Sequence, residues 1–212
     1  MRITVFGSTG NVGGRVVAEA LARGHEVTAV VRDPGKPHGL PATAATAVGD
    51  ARDAEDVARL AAGQDVVITT TRPAPGSEGE LAVATKGLLA GLAGTGVRLL
   101  AVGGAGSLTV PGTGGTLLVD TPGFPAAIRP IALACGEQLA LYRADEQVDW
   151  TYLSPAALLE PGTRTGRFRL GRDELLVDAD GNSAISMEDL AVALLDEVET
   201  PAHRRTRFTA AY

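Results

Sequence analysis

The sequence predicts an α/β protein with a doubly wound, mostly parallel sheet and helices on both faces. Strand and helix patterns alternate along most of the chain, and the first strand patterns are apolar runs typical of strands buried on both sides. Because strand–helix–strand crossovers are right-handed, few other topologies fit this alternation. The 212 residues suit one domain, and no linker-like stretch divides them. We therefore predict a single domain over residues 1–212, with a core over 1–155 and a smaller C-terminal region over 156–212.

The first strand–helix–strand unit occupies about 31 residues. Residues 3–6 form a β-branched, apolar strand pattern that stops at Gly7. The apolar residues of the next segment fall on one helical face, and Gly24 is a typical helix end. A second strand pattern follows at residues 26–31.

The alternation continues towards the C-terminus. Further strand patterns occupy residues 47–48, 65–70, 97–102 and 148–153, and helix patterns occupy residues 54–62, 78–93 and 128–147. Short strand patterns also occur at residues 168–170, 175–177 and 206–209. Ser186 is a favourable N-cap residue, and Asp189 at the third following position predicts a capping box for the last helix.

Residues 103–125 interrupt the alternation with glycine, threonine and proline. A stretch this long without a regular pattern is more often functional than idle. We expect it to border a substrate pocket and to close over it, with Leu108 and Phe124 as apolar walls. The alternative is a loop that is simply mobile.

Composition and charge exclude several classes of protein. Lys and Arg total 19 and Asp and Glu total 25, and this net charge of −6 argues against nucleic acid or a membrane surface as a partner. The single Cys135 excludes a disulfide within the chain, and His25, His38 and His203 share no metal-ligand spacing, so no metal site is predicted. The first residues enter a strand pattern at once, and no apolar run of ~18 residues follows. We therefore expect a cytoplasmic protein.

The turn after the first strand carries the clearest functional signal. It reads GSTGNVG over residues 7–13, a GxxGxxG spacing between a strand and a helix. A diphosphate needs a tight turn, close backbone approach and the free N–H groups of a helix N-terminus. We therefore predict dinucleotide binding by the residues that form this turn, namely Gly7, Ser8, Thr9, Gly10, Asn11 and Val12. The alternative is a plain glycine-rich turn.

The end of the second strand predicts which dinucleotide is bound. An NAD site usually carries Asp or Glu there, whereas this chain has Arg32. An arginine fork pairs with a 2′-phosphate that a carboxylate would repel, so the sequence favours NADP(H) over NAD(H). Two alternatives stay open: Asp33 reaches the ribose, or Arg32 is only a solvated loop cation.

Two further loops follow strands at the edge where ligands of open α/β sheets bind. Asp50 follows the third strand pattern and is expected to accept a hydrogen bond from the adenine amino group. The alternative for Asp50 is a cap on the next helix. Thr70, Thr71 and Arg72 follow the fourth strand pattern and are expected to lie along the ribose and diphosphate.

These motifs together resemble the atypical short-chain dehydrogenase/reductases, and in particular the NmrA-like, NAD(P)H-binding group that includes biliverdin reductase B-like flavin reductases. Matching segments extend in order over nearly the whole chain: GSTGNVG at 7–13, VRDP at 31–34, GD at 49–50, VGGAGSL at 102–108, VDWTYLSP at 148–155 and ISMEDLA at 185–191. The resemblance implies a Rossmann-like core with a small C-terminal substrate cap. It also implies cofactor contacts at Gly103, Ser154 and Pro155, and a substrate-orienting hydroxyl at Ser107. The alternative for Ser107 is a loop serine that bonds to the backbone.

The chain departs from the wider superfamily at the catalytic pair. That superfamily uses Tyr-x-x-x-Lys, in which the lysine lowers the pKa of the tyrosine that protonates the substrate. Here the position four residues after Tyr142 is Glu146, which would raise the pKa of that tyrosine. The only lysines, Lys36 and Lys86, do not have the required spacing. In addition, Ser154 stands where members of the group commonly carry arginine.

We therefore expect hydride transfer that needs little acid–base help. A flavin or quinone accepts a hydride and takes its proton from water, so positioning carries most of the rate. The predicted function is NADPH-dependent reduction of such a planar small-molecule acceptor. One alternative is a regulatory protein that senses NADP(H) and binds a protein partner without turnover, and another is a tailoring enzyme of small-molecule biosynthesis. A homodimer is also compatible with the sequence.

Overall fold

The computed structural model describes residues 1–35 and 39–212, and within these ranges ten strands and five α-helices follow one another. The strands are β1 (Arg2–Phe6), β2 (Glu26–Val31), β3 (Ala45–Val48), β4 (Val66–Thr69), β5 (Arg98–Val102), β6 (Trp150–Ser154), β7 (Leu158–Glu160), β8 (Arg169–Gly171), β9 (Ala184–Ser186) and β10 (Thr206–Ala211). The helices are α1 (Asn11–Ala22), α2 (Ala54–Ala61), α3 (Glu80–Leu92), α4 (Arg129–Ala144) and α5 (Met187–Glu199). The predicted Rossmann-like α/β class is confirmed.

The main sheet of the described ranges has eight strands in the order β3-β2-β1-β4-β5-β6-β10-β8. Neighbouring strands run parallel except for β10 and β8, which are antiparallel. From β1 the chain first builds outwards through β2 and β3, and then returns to place β4 on the other side of β1. The connections that leave β1 and β4 therefore diverge, and this topological switch point is where ligands of such sheets bind.

Helices cover both faces of the sheet. The face that carries α1 and α5 buries an apolar cluster that includes Val16, Val17 and Leu194. The opposite face carries α2, α3 and α4 and buries a second cluster that includes Leu88 and Tyr142. Because both faces are covered, nearly every residue of β1, β4 and β5 is buried.

The C-terminal region contributes to the main sheet as well as to the surface. Strand β10 pairs with β6 on one side and with β8 on the other, while β7 and β9 form a separate two-stranded pair. The residues before β10 form α5, which packs against α1.

The start of α5 is partly as predicted. The Ser186 hydroxyl accepts a hydrogen bond from the Asp189 amide at 3.0 Å, so the predicted N-cap is confirmed. The predicted capping box is wrong in its second half, because the Asp189 carboxylate does not return to the Ser186 amide. It accepts hydrogen bonds from the Thr165 and Gly166 amides instead, each at 2.8 Å.

Two other elements differ from their predicted extent. Residues 175–177 are not a strand; only Glu174 makes an isolated bridge, to Thr109. Helix α4 ends at Ala144 instead of residue 147, because the Asp145 carboxylate accepts hydrogen bonds from the Gln147 and Val148 amides and thereby forms a turn.

Candidate functional site

A cavity of about 410 Å³ opens at the topological switch point. Its walls come from four segments: the glycine turn after β1, the ends of β2 and β3, the loop after β4, and the first turns of α3. The lining residues from these segments are Gly7, Thr9, Gly10, Val30, Arg32, Gly49, Asp50, Ala51, Arg52, Thr70, Thr71, Arg72, Pro73, Glu80, Leu81 and Ala84, among others. Most of the residues expected to bind the adenosine half of a dinucleotide therefore lie around one space.

The glycine turn is constrained by backbone contacts. Gly7 has a φ of +77°, and a Cβ atom there would lie 2.7 Å from the Thr70 carbonyl carbon. A Cβ atom on Gly13 would lie 2.1 Å from the Gly7 carbonyl oxygen, which no packed structure allows. Side chains are thus excluded at both positions, and the backbone stays close to the strand ends.

The turn leads into the open N-terminus of α1. The N-cap residue Gly10 offers no side-chain hydrogen bond, and the first turn contains no acidic residue. The first amides of a helix have no carbonyl partner within the helix, so the amides from Asn11 onwards are available to an anion. Thr9, Gly10 and Asn11 are exposed, which leaves this end of the helix accessible.

The other turn residues have structural contacts. Ser8 is fully buried, and its hydroxyl donates to the Val30 carbonyl at 2.7 Å, which ties the turn to β2. Val12 is half-buried and packs on the core of the α1 face. The Thr70 hydroxyl lies 3.1 Å from the Gly7 carbonyl oxygen, so the loop after β4 supports the turn from the other side. Ser8 and Val12 do not line the cavity, whereas Thr70 does.

An ion pair between Asp50 and Arg52, which the sequence did not predict, forms part of the cavity wall after β3. The Arg52 guanidinium donates to both Asp50 carboxylate oxygens, with Nη2 2.5 Å from Oδ2 and Nε 3.0 Å from Oδ1. The hydrogen bonds from Arg52 hold the pKa of Asp50 below its ordinary value, and the charge of Arg32 adds to this effect. The only signal in the sequence was an arginine two residues after a strand-end aspartate.

Asp53, and not Asp50, caps the helix α2. Asp53 is the N-cap of α2, where its carboxylate accepts hydrogen bonds from the Glu55 and Asp56 amides. Asp50 therefore does not cap that helix and lies at the cavity wall. The apolar surface beside it, from Val30 and Leu81, suits a flat base.

The carboxyl ends of β5 and β6 meet at a buried tyrosine. A Cβ atom on Gly103 would lie 1.8 Å from the Tyr152 hydroxyl oxygen, so only glycine fits there. That hydroxyl lies 3.0 Å from the Cys135 carbonyl oxygen, and burial raises the pKa of Tyr152 well above its ordinary value. The predicted contact residues Ser154 and Pro155 are both buried next to it. In the described part of the chain the Ser154 hydroxyl has no hydrogen-bond partner.

The predicted substrate-orienting serine is held by a buried arginine. The Ser107 hydroxyl accepts a hydrogen bond from Arg207 Nη1 at 2.9 Å, and Arg207 also pairs with Asp173 at 2.5 Å. Ser107 is half-buried and lies outside the cavity lining. The structure thus brings the turn, Arg32, Asp50 and Arg72 together but does not bring Ser107 to the same space.

Residues 103–125 are anchored at their base. Leu108 is fully buried and Val119 is almost so, while Phe124 is half-buried. Backbone hydrogen bonds join the two arms of this segment, from the Leu118 amide to the Leu108 carbonyl and from the Val119 amide to the Gly106 carbonyl. The glycine-rich tip around residues 111–116 stays exposed.

The tyrosine and lysines considered for a catalytic pair do not line the cavity in the described part of the chain. Tyr142 is completely buried, and burial raises the pKa of its hydroxyl. Lys86 is exposed on α3, and Lys36 and His38 lie outside the described residues. Among the residues that the structure describes, no cluster of three or more His, Cys, Asp or Glu is arranged to hold a metal ion. Within the same residues, no helix combines the length and apolar character needed to span a membrane.

Known proteins share this architecture over the full chain. A family model for NAD(P)H-binding proteins matches residues 7–201. The uncharacterised protein YwnB of Bacillus subtilis is 40% identical over 211 residues, which cover 99% of this chain and 97% of YwnB. A proposed exported protein of Burkholderia pseudomallei has a crystal structure that is 43% identical, with a TM-score of 0.89 and 100% of both chains covered. A proposed NADH-flavin reductase of Streptococcus pneumoniae is 33% identical, with a TM-score of 0.88, and 100% of this chain and 99% of that chain are covered.

Proposed function

Because the chain belongs to the NAD(P)H-binding family, we propose that it is an oxidoreductase that uses NADPH to reduce a planar acceptor such as a flavin or a quinone. The observation that carries this proposal is the cavity at the switch point, where the open end of α1 and the Arg32 side chain face one space. The Streptococcus neighbour, named as a proposed NADH-flavin reductase, supports the same class of acceptor.

The residues of the site fit a nicotinamide dinucleotide. The turn leaves no room for side chains at Gly7 and Gly13, so a diphosphate can approach the first amides of α1. Asp50 would hold the adenine amino group, and Thr70, Thr71 and Gly103 would border the path towards the nicotinamide. Bound NADPH supplies a hydride, and this hydride together with one proton from water yields the two-electron-reduced acceptor.

The charge at the end of β2 favours a phosphorylated ribose. Arg32 lines the cavity, and Asp33 does not. The Asp33 carboxylate accepts a hydrogen bond from the Gly35 amide at 3.0 Å, which occupies it within its own loop. A guanidinium at this place would pair with a 2′-phosphate, and we therefore propose NADP(H) as the preferred cofactor.

The proposed chemistry does not depend on a tyrosine–lysine pair. Tyr142 lies within the core between α4 and the sheet, where it has no access to a substrate. Lys86 is exposed on α3 and does not line the cavity. We therefore propose that the chain contributes by holding the two reactants against each other and by excluding water from the space between them.

The direct test is to mix the protein with NADPH and each member of a panel of FMN, riboflavin and quinones. The loss of nicotinamide absorbance then measures NADPH oxidation. Turnover with at least one planar acceptor is expected. If NADPH stabilises the protein against heat but no acceptor is reduced, the regulatory alternative, a sensor of NADP(H), replaces the enzyme. If neither NADPH nor NADH stabilises the protein, both functions are excluded.

Replacing Arg32 tests the cofactor preference. We expect Arg32→Ala to weaken NADPH binding about tenfold or more, because a charge-assisted contact to the 2′-phosphate is lost, and to leave NADH binding almost unchanged. Arg167→Ala is the matched control, since Arg167 is exposed and outside the cavity. Titration calorimetry with both nucleotides measures the effect. Equal losses for NADPH and NADH would show that Arg32 does not contact a 2′-phosphate.

We place the reaction in the cytoplasm, where the sequence also predicts the protein to be. One neighbour is named as a proposed exported protein, so the location needs its own measurement. Cell fractionation with an antibody against the chain is expected to recover it in the cytoplasmic fraction, and recovery from the periplasm or the medium would contradict this.

A further inference from the structure

Arg52 joins two segments of the cavity wall. Its guanidinium donates to the Asp50 carboxylate after β3, and its Nη1 donates to Glu80 Oε2 at the start of α3, at 3.3 Å. All three residues line the cavity. Asp50, Arg52 and Glu80 therefore form a chain of charges, here called the charged wall, that extends from the loop after β3 to the first turn of α3.

The backbone of Arg52 is held in place by α3. A Cβ atom on Gly87 of that helix would lie 2.7 Å from the Arg52 carbonyl carbon, and closer still to the Ala51 carbonyl oxygen, so the loop lies directly on the helix. Arg52 is thus fixed at its main chain by α3 and at its guanidinium by two carboxylates. A side chain that is held at both ends can in turn orient the group to which it donates.

The Asp50 carboxylate keeps one acceptor position open. It accepts three hydrogens, all from Arg52: the backbone amide at 2.9 Å, Nε at 3.0 Å and Nη2 at 2.5 Å. A carboxylate has about four lone-pair positions, and no other group in the described part of the chain donates to this one. Hydrogen bonds from Arg52 also hold the pKa of Asp50 below its ordinary value, so the group is ionised and can only accept. The open position therefore suits a donor on a ligand.

The space beside the charged wall suits a flat base. Val30, Leu81 and Ala84 give this part of the cavity apolar sides. In the proposed binding mode the diphosphate lies at the open end of α1 and the 2′-phosphate at Arg32, so the adenine lies at Asp50. The exocyclic amino group of adenine is a hydrogen-bond donor. Hypoxanthine has a carbonyl oxygen at the same place, and an ionised carboxylate repels that oxygen.

We propose that Arg52 is a positioning residue, which directs the open acceptor position of Asp50 at the base and thereby makes the site selective for adenine over purines with a carbonyl group at that place. This inference rests on the proposed function, because it concerns recognition of the cofactor in the same site. It gives the two arginines of the cavity separate roles. Arg32 determines the preference for NADP(H) over NAD(H), and Arg52 determines the preference for adenine.

Two nucleotides that differ only in the base test this role. NADP⁺ and its hypoxanthine analogue, deamino-NADP⁺, carry the same phosphates, so the ratio of their dissociation constants in titration calorimetry reports the base alone. The wild-type protein is expected to bind NADP⁺ about tenfold or more tightly, because a hydrogen bond to a charged group is replaced by repulsion. Arg52→Ala is expected to bring this ratio close to one. Arg204→Ala is the matched control and is expected to keep the wild-type ratio, because it removes an exposed arginine–aspartate pair outside the cavity.

A double-mutant cycle shows whether Arg52 acts through Asp50. Asp50→Ala is expected to bring the ratio close to one, and the addition of Arg52→Ala is expected to change it no further. A further change of the ratio in the double variant would mean that Arg52 contacts the base itself, which would overturn the positioning role.

Two other results would overturn the inference. One is equal binding of the two nucleotides by the wild-type protein. The other is weaker binding of both nucleotides by Arg52→Ala at the wild-type ratio, which would assign Arg52 to the phosphates or to the stability of the loop. If neither nucleotide binds, the inference fails together with the proposed function. If both bind but no acceptor is reduced, only the proposed function is contradicted, and the ratios still decide the role of Arg52.

Discussion

Gly13 is the residue at which the turn is most tightly constrained. A Cβ atom there would lie 2.1 Å from the Gly7 carbonyl oxygen and 2.6 Å from the Thr70 hydroxyl, and neither backbone nor supporting strand can move away cheaply. The adjacent Gly14 differs, because a Cβ atom at that position would lie 3.7 Å from the Ser8 carbonyl oxygen, an ordinary contact. Of these two neighbouring glycines in α1, Gly14 therefore tolerates a side chain and Gly13 does not.

This contrast predicts the behaviour of two alanine variants. Gly13→Ala is expected to destabilise the fold by about 1–3 kcal/mol through overpacking and to abolish nucleotide binding, because the turn must open. Gly14→Ala is expected to be neutral or to stabilise α1 by up to about 1 kcal/mol, since alanine favours the helix. Thermal unfolding of each variant with and without NADPH measures its stability and its nucleotide binding. Similar behaviour of the two variants would contradict the constraint at Gly13.

Single residues could be predicted from the sequence when local backbone geometry determined their role. The Ser186 cap belongs to this group, because its partner Asp189 is three residues away. The turn glycines were predicted from their spacing between a strand and a helix, although Thr70 from a distant strand end also constrains two of them. The role of the Asp189 side chain was not predicted, since its carboxylate binds the amides of Thr165 and Gly166, more than 20 residues earlier in the chain. Contacts of this kind depend on how the elements pack.

At the scale of elements, α1 is joined to the segment after β7 by a buried carboxylate. Glu19 on α1 accepts hydrogen bonds from Arg164, with Nη2 2.8 Å from Oε1, and from Arg23 Nε at 2.8 Å. The hydrogen bond from Arg164 is the main cause that lowers the pKa of Glu19 from 4.5 to about 2. Protonation of Glu19 therefore weakens the attachment of this segment to the helix.

The lowered pKa predicts a dependence of stability on pH. A group whose pKa is lower in the folded state stabilises the fold above its unfolded pKa, so this contribution is complete above pH 4.5 and is lost as the pH falls to about 2. At about 1.4 kcal/mol per pKa unit, the contribution of Glu19 to the free energy of unfolding is at most about 3 kcal/mol. Solvent screening reduces this contribution, because the Arg164 side chain is half exposed.

The matching experiment compares denaturant unfolding at several pH values. Glu19→Gln is expected to be less stable than the wild-type protein at pH 7 and to lose less stability between pH 4.5 and 2. Glu137→Gln makes the same change at an exposed position on α4 and is expected to leave the pH profile unchanged. If the curves of Glu19→Gln and wild type stay parallel over this range, the arginine contacts do not control the pKa of Glu19.

The elements that could be predicted are those with enough residues to show a period. Strands β1, β2 and β5 are runs of five or six residues with strong apolar character, and their positions are confirmed. Strands β7 and β9 have three residues each and were not predicted, whereas β8, also of three residues, was predicted to within one residue, so segments this short are unreliable in both directions. The false strand at residues 175–177 had a strand pattern by chance, and its segment instead follows residue 109 through isolated backbone contacts.

At the scale of the whole molecule, the cavity proposed to bind the nucleotide and the C-terminal strand β10 belong to one sheet. The site lies at β1 and β4, and β10 is added to the same sheet through β5 and β6. Arg98 on β5 also pairs with Glu197 on α5 at 2.5 Å within the core, which links the two parts of the chain. A ligand that binds the folded site is therefore expected to stabilise the entire chain.

Calorimetry can test this expectation and the predicted single domain together. At a free NADPH concentration of 100 times its dissociation constant, binding adds about 2.7 kcal/mol. For a chain of this size the unfolding temperature is expected to rise by roughly 5–11 °C in one transition. Two transitions, of which NADPH moves only the first, would show that residues 156–212 unfold independently.

The fold class could be predicted because alternation, handedness and the glycine turn all indicate the same architecture. The half of the site near the turn was predicted for the same reason, since strand ends gather at the switch point. The other half was not, because its contacts join distant segments: Arg207 bonds to Ser107 across 100 residues of chain. The side chains around Ser107 are positioned by packing between distant segments, which no local sequence pattern shows.

The place of β10 between β6 and β8 has a consequence for synthesis on the ribosome. Strand β8 is made about 35 residues before β10, yet it touches the sheet only through β10. When a nascent chain has emerged as far as β8, this strand and the free edge of β6 therefore have no pairing partner. Both stay unpaired until β10 has been synthesised. The strands around the cavity are thus synthesised first, and the strand that joins the edge strand β8 to the sheet is synthesised last.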